Sequence, residues 1–108
     1  MKPALKQAMC TASDTMKKHP KKNTALALAR DKYGDTTAPL SPTAVCWCAL
    51  GHLAKELRLD AKSTNDVRLQ LAREYDISLF ELRRIMNLND NEGPKAAARR
   101  MRELCREP

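Results

Sequence analysis

Apolar residues fall into runs with different periods along the chain, and the changes of period mark the expected elements. Leu5, Ala8, Met9, Ala12 and Met16 follow the i, i+3, i+4, i+7 spacing of one helical stripe. They predict a first helix from Pro3 to about Lys18, with Pro3 in its first turn and Pro20 barring its continuation. Between Asn23 and Pro39 the pattern changes. Leu26 and Leu28 alternate with small residues and Gly34 follows as a turn signal, so a short hairpin or irregular ribbon is expected near residues 24–39. From Ala44 to Ala54 almost every residue is apolar, and Ser41 and Pro42 precede the run as a cap and a first-turn proline. A helix apolar all round is a buried one, so this segment is expected to be the central helix. Charges appear only at its end, in Lys55, Glu56 and Arg58, and Gly51 allows a close neighbour.

Val67, Leu71, Ala72 and Tyr75 predict a third helix over about Asn65–Tyr75. Ser78 and Glu81 have capping-box spacing and open a fourth, with Leu82, Ile85 and Met86 facing inward. A polar break is expected over Asn87–Gly93. Pro94 then starts a fifth helix that buries Ala97, Met101, Leu104 and Cys105 and turns Arg99, Arg100, Arg102 and Arg106 largely outward. The fold expected is mainly α: one domain over residues 1–108, a compact bundle of about five helices around a buried central helix.

Composition sharpens this picture. The only aromatics are Tyr33, Trp47, Tyr75 and Phe80, so the core must consist chiefly of Leu, Ala, Val, Ile and Met, as in helix-on-helix packing. No segment approaches the roughly 20 apolar residues of a membrane span, and lysines near the start are not followed by the apolar run of a secretory signal. A cytoplasmic protein is expected, the host cytoplasm if the chain is phage-encoded. Cys10, Cys46, Cys48 and Cys105 are accordingly expected as free, mostly buried thiols, since Cys46 and Cys48 point different ways on a helix. The net charge of +7 is uneven: residues 1–30 carry +6, and residues 61–90 are balanced. The excess is densest at Lys17, Lys18, Lys21 and Lys22, a cluster suited to nucleic acid or an acidic protein face, or simply to a solvated helix end.

Three constellations bear on chemistry. Leu71 to Ile85 has the pattern of a helix-turn-helix: Ala72 at the helix contact, Asp76 at the turn, and Ile77, Leu82 and Ile85 as the lock. Arg83 and Arg84 are placed to reach phosphate, but Leu79 and Phe80 occupy positions where base-reading helices carry polar side chains; an ordinary helical hairpin is the competing reading. Cys48 and His52 are spaced i, i+4 for a thiolate–imidazole pair, yet a nucleophilic thiol belongs at a helix start and Cys48 is expected about two turns in. Cys46, Cys48 and His52 offer three zinc-ligand types with no second pair at finger spacing. No catalytic residue, metal ligand or cofactor is assigned.

Arg30-Asp31 before Gly34, Trp47-Cys48-Ala49-Leu50-Gly51 and Asn89-Asp90 together resemble motifs of a family of small uncharacterised proteins of bacteriophages and actinobacteria: an A-R-D…G turn, a W-C-A-x-G helix and an N-D element before a final helix. The match covers roughly residues 25–105 and departs at His52, where the family carries a small residue, and in the lysine-rich first helix. The resemblance implies a phage-type origin and structural roles for Arg30, Asp31, Trp47, Cys48, Gly51, Asn89 and Asp90, with Asp90 as a cap or first-turn anion. It implies no activity. The function expected is a small non-enzymatic binding protein, a phage accessory factor docking on a host protein. The alternatives are a helix-turn-helix nucleic-acid binder and a small cysteine-dependent enzyme. Lys17, Lys18, Lys21, Lys22, Arg83 and Arg84 are the candidate binding residues. A protein partner is expected, with weak nucleic-acid binding through the basic N-terminus and no membrane association.

Overall fold

Helix α1 runs Pro3–Lys18, and Leu5, Ala8, Met9, Ala12, Ser13 and Met16 form its buried stripe. A 3₁₀ turn over Pro20–Lys22 follows at the proline that stops it. The computed structural model describes every residue, Met1–Pro108. After the turn the chain forms a small antiparallel sheet of three two-residue strands, β1 (Ala29–Arg30), β2 (Thr36–Thr37) and β3 (Cys46–Trp47), in the order β2-β1-β3. The expected hairpin is β1–β2, with Ala29 opposite Thr37 and Arg30 opposite Thr36.

The third strand corrects the expected central helix. Cys46 and Trp47 pair with Arg30 and Ala29, and helix α2 begins only at Ala49, running to Leu57. A short apolar run does not distinguish strand from helix by periodicity, and here the backbone around β1 offers acceptors: the Val45 N–H donates to the Arg30 carbonyl and the Cys48 N–H to the Leu28 carbonyl. Ser41-Pro42 makes a turn, in which the Ala44 N–H donates to the Ser41 carbonyl, and caps no helix. The helix is nevertheless central: Ala49 to Ala54 are all buried, and α2 packs on every other helix.

Ser63 caps α3 (Thr64–Tyr75), and Ser78 caps α4 (Leu79–Glu92) through the Glu81 N–H. The capping box is only half made, because the Glu81 carboxylate turns to Arg100. No break occurs at Asn87. Helix α4 continues to Glu92 and ends at Gly93, φ 96°; burial of Asn89 outweighs the weak helix propensity of that Asn-rich stretch. Helix α5 (Pro94–Cys105) packs against both α4 and α1. Arg100 departs from the expected outward set, lying partly buried between Glu81 and Glu103. The main core joins Leu5, Met9 and Met16 with Leu50, Leu53, Val67, Leu71, Leu82, Ile85 and Met101. No helix is long and apolar enough to cross a membrane.

The expectation of four free thiols is overturned at two positions. α1 and α5 run antiparallel and bring the Cα atoms of Cys10 and Cys105 to 5.7 Å, where a disulfide joins them. That proximity arises from the packing of the first helix on the last and has no trace in local spacing. Cys46 and Cys48 are free.

Candidate functional site

The motif residues gather around one node. Asn89, on α4, accepts from the Ala49 N–H (3.2 Å) and from Asn23 Nδ2 (3.1 Å) at its carbonyl oxygen. Its amide nitrogen donates to the Thr24 carbonyl (2.9 Å) and to Asp90 Oδ1 (3.2 Å). One buried amide thereby ties α4 to the start of α2 and to the chain entering the sheet. Asp90 is neither a cap nor a first-turn anion, since it lies in the last turns of α4; its carboxylate accepts from the Leu26 N–H instead. That contact holds Leu26 at φ 64°, a left-handed conformation unusual for leucine.

Arg30 and Asp31 shape the ribbon. The Arg30 guanidinium donates to Thr24 Oγ1, the Gly34 carbonyl and the Ala25 carbonyl. Asp31 Oδ1 accepts from the Tyr33 and Asp35 N–H groups, closing a turn around Gly34, φ 83°. Trp47 is buried, as expected, but on β3, with its indole N–H donating to the Pro39 carbonyl (2.9 Å) and the Lys55 ammonium 3.9 Å above its ring. At Gly51 a Cβ would overlap the Leu28 carbonyl oxygen, so glycine permits α2 to seat against the segment leading into β1.

Cys48 is the N-cap of α2, not a residue two turns in, and its Sγ accepts from the Gly51 N–H (3.3 Å). A helix start favours a thiolate, but burial outweighs it and pushes the thiol up to about 11, against the lowering by the Gly51 and Leu50 N–H groups. Cys48 carries a proton at neutral pH. His52 faces Trp47, ring centroids 5.7 Å apart, and makes no side-chain hydrogen bond to Cys48. Burial, with Lys55 adding, pushes His52 down to about 4, and its Nε2 is buried without a partner. Cys46 directs its thiol to the Arg30 carbonyl (3.9 Å) while Cys48 sits in the core, so the two diverge. Cys48, Asn89 and Asp90 line a cleft of about 380 Å³ beside Leu26 and Arg68.

The helix-turn-helix segment has the expected geometry at its turn. Asp76 ends α3 in the left-handed region (φ 55°, ψ 57°), and Leu82 and Ile85 are fully buried. On the outer face of α4, Phe80, Arg83, Arg84, Asn87 and Asn91 line a shallow depression of about 270 Å³. Phe80 is 78% exposed and Leu79 49%. Lys17 and Lys18 end α1 and Lys21 and Lys22 occupy the 3₁₀ turn, all four exposed. The structure does not bring these lysines into one depression with Arg83 and Arg84; Lys17 instead shares a groove with cations of α5. The spacing of Lys95, Arg99, Arg102 and Arg106 was the signal for that grouping; its partner across the groove is set by helix packing. Comparison with protein-family models, curated proteins and solved structures finds no match to this chain.

Proposed function

We propose that the chain is a non-enzymatic binding protein, a phage-type accessory factor that docks on a host protein through the exposed start of α4. The observation carrying this reading is Phe80, 78% exposed on a helix whose opposite side buries Leu82 and Ile85 completely. Leaving such a ring in water forgoes about 1.5–3 kcal/mol of burial, which a partner surface can recover. Leu79 extends the apolar spot, and Arg83 and Arg84 flank it in the next turn. An aromatic anchor with adjacent arginines has the composition of an interface hot spot and fits an apolar pocket with an acidic rim. The protonated, buried Cys48 thiol supports a non-catalytic reading.

The test is a photo-crosslinking phenylalanine analogue at position 80, with the same analogue at exposed Tyr33 as control, irradiated in the cells that make the protein. A discrete protease-sensitive adduct from position 80 alone, lost with Arg83→Glu/Arg84→Glu, is expected. Equal labelling from both positions, or none from position 80, overturns the proposal. A nuclease-sensitive adduct moves the assignment to the second reading, a nucleic-acid binder. That reading is favoured by the left-handed Asp76 turn and by Arg83, Arg84, Asn87 and Asn91 on one face. Cytoplasmic action belongs to the proposal. The Cys10–Cys105 bridge pulls the other way, because structural disulfides persist in oxidising compartments, and alkylation of free thiols before lysis reads its state in the cell.

A further inference from the structure

A second charged surface lies away from α4. The groove between antiparallel α1 and α5, about 650 Å³, is lined by Lys17 from one helix and Lys95, Arg99, Arg102 and Arg106 from the other. Asp14 is the one carboxylate there, and it is already paired with Arg102. Lys17, Lys95, Arg99 and Arg106 have no ion-pair partner. Packing these like charges together opposes folding, since each repels the next and no acid answers them. A bound polyanion removes that repulsion.

We infer that this groove binds the phosphate backbone of a nucleic acid. The cations of α5 are spaced four, three and four residues apart, so they share one face. At about 1.5 Å of rise per residue they form a row about 16 Å long, and a nucleic-acid strand offers phosphates at comparably short, regular intervals. Three of the four are arginines, whose planar guanidinium matches phosphate oxygens two at a time. Ala98 is the only apolar residue lining the groove, so an amphipathic helix finds nothing to bury against. A lipid surface is a poorer fit, because the groove is concave and presents no apolar side chain for insertion. Of the lysines at the end of α1 and in the 3₁₀ turn, Lys17 alone lines the groove. The site is independent of the α4 face.

The test uses the intact, disulfide-bonded protein and fluorescence anisotropy of a labelled random-sequence duplex at salt concentrations from 50 to 250 mM. With about four unpaired cations engaged, log K should fall against log salt with a slope of about −3 to −4, and Kd should sit near ~10⁻⁴–10⁻⁶ M at physiological salt. Lys95→Glu/Arg99→Glu should weaken binding at least ~10-fold and make the slope shallower by about 2. Lys95→Gln/Arg99→Gln, which removes charge without adding any, should give a smaller loss with the same direction and secures the result if charge reversal unfolds the protein. Arg83→Ala/Arg84→Ala should leave binding intact. No binding at 50 mM salt, binding insensitive to the α5 variants, or loss with the α4 variant instead overturns the proposal. Polyglutamate displacing the duplex at equal charge concentration overturns it in favour of an acidic protein.

Discussion

Asn89 engages both ends of its amide at once, and all of its partners lie on other parts of the chain or beside it in the turn. Replacing it with leucine, which has the same branched shape but a larger volume, strands the buried Ala49 N–H and leaves the Thr24 carbonyl with Asn23 Nδ2 alone. The orphaned donor costs about 1–3 kcal/mol and the added volume about 1–3 kcal/mol, so Asn89→Leu should lower stability by about 2–5 kcal/mol in urea unfolding, whereas the neighbouring exposed Asn91→Leu should change it by less than ~0.5 kcal/mol. His52 gives a pH dependence of definite sign. Its ring titrates near 6.5 unfolded and about 4 in the fold. Between those values the unfolded chain binds more protons, so the stability contributed by the neutral ring is complete above about pH 6.5 and is lost as pH falls towards 4. Two and a half pH units correspond to about 3 kcal/mol. Denaturation midpoints at pH 7.5, 6, 5 and 4.5 should fall across this window, and His52→Leu should flatten the fall. Glu81, whose carboxyl is held low by its Arg100 hydrogen bonds, contributes stability that is complete above the ordinary carboxylate range and is lost only as pH falls below it. An unchanged slope in His52→Leu would remove His52 from the account.

At the scale of elements, α2 and the sheet depend on one another at Gly51. A Cβ there meets the Leu28 carbonyl, and backbone cannot swing aside as a side chain can. Gly51→Ala should therefore destabilise by at least about 2–3 kcal/mol despite alanine's better helix propensity; a stabilised variant would show that this contact yields. The same contact explains how much was legible in the sequence. α1, α3 and α5 were readable within a residue or so because their stripes keep one period and are bounded by Pro3, Tyr75 and Pro94. Ser78 marked the start of α4 for the same local reason. The stretch from Ala44 to Cys48 was not readable as a strand, because its conformation is decided by backbone groups of Ala29 and Arg30 some sixteen residues earlier. Asn89 failed as a break for a like reason: its polar demands are met by residues 23, 24 and 49, which no local window contains. Within the candidate site, the exposure of Phe80 followed from its place opposite Leu82 and Ile85. The groove did not follow, because only the pairing of the first helix with the last sets Lys17 beside α5.

Over the whole molecule the decisive pairing is α1 with α5. The Cys10–Cys105 disulfide links residues 95 apart. A loop of that length restricts the unfolded chain enough to stabilise the fold by about 4–5 kcal/mol on the chain-entropy account. Guanidinium unfolding with and without a reductant should show a loss of about that size, and Cys10→Ser/Cys105→Ser should behave like the reduced protein. Two thiols, not four, should titrate in the denatured, unreduced chain. Reaction of all four would remove the bridge. Reduction should leave most of the apolar α1–α5 seam in place, since Leu5, Met9, Ala97 and Met101 hold it independently.

The bridge also alters the molecule's mechanics. It turns residues 10 to 105 into a closed ring with two short tails, so a force applied to the two ends passes from the first helix to the last through sulfur and leaves the interior of the ring unloaded. Held between a surface and a pulling probe, the oxidised protein should lengthen by little more than its tails, with no unfolding peak. Once reduced it should release a contour of roughly 320 Å, reckoned at ~3.4 Å per residue. The same topology lets a protease cut a ring segment once without separating the two pieces, so a nicked molecule should stay one particle until a reducing agent opens it.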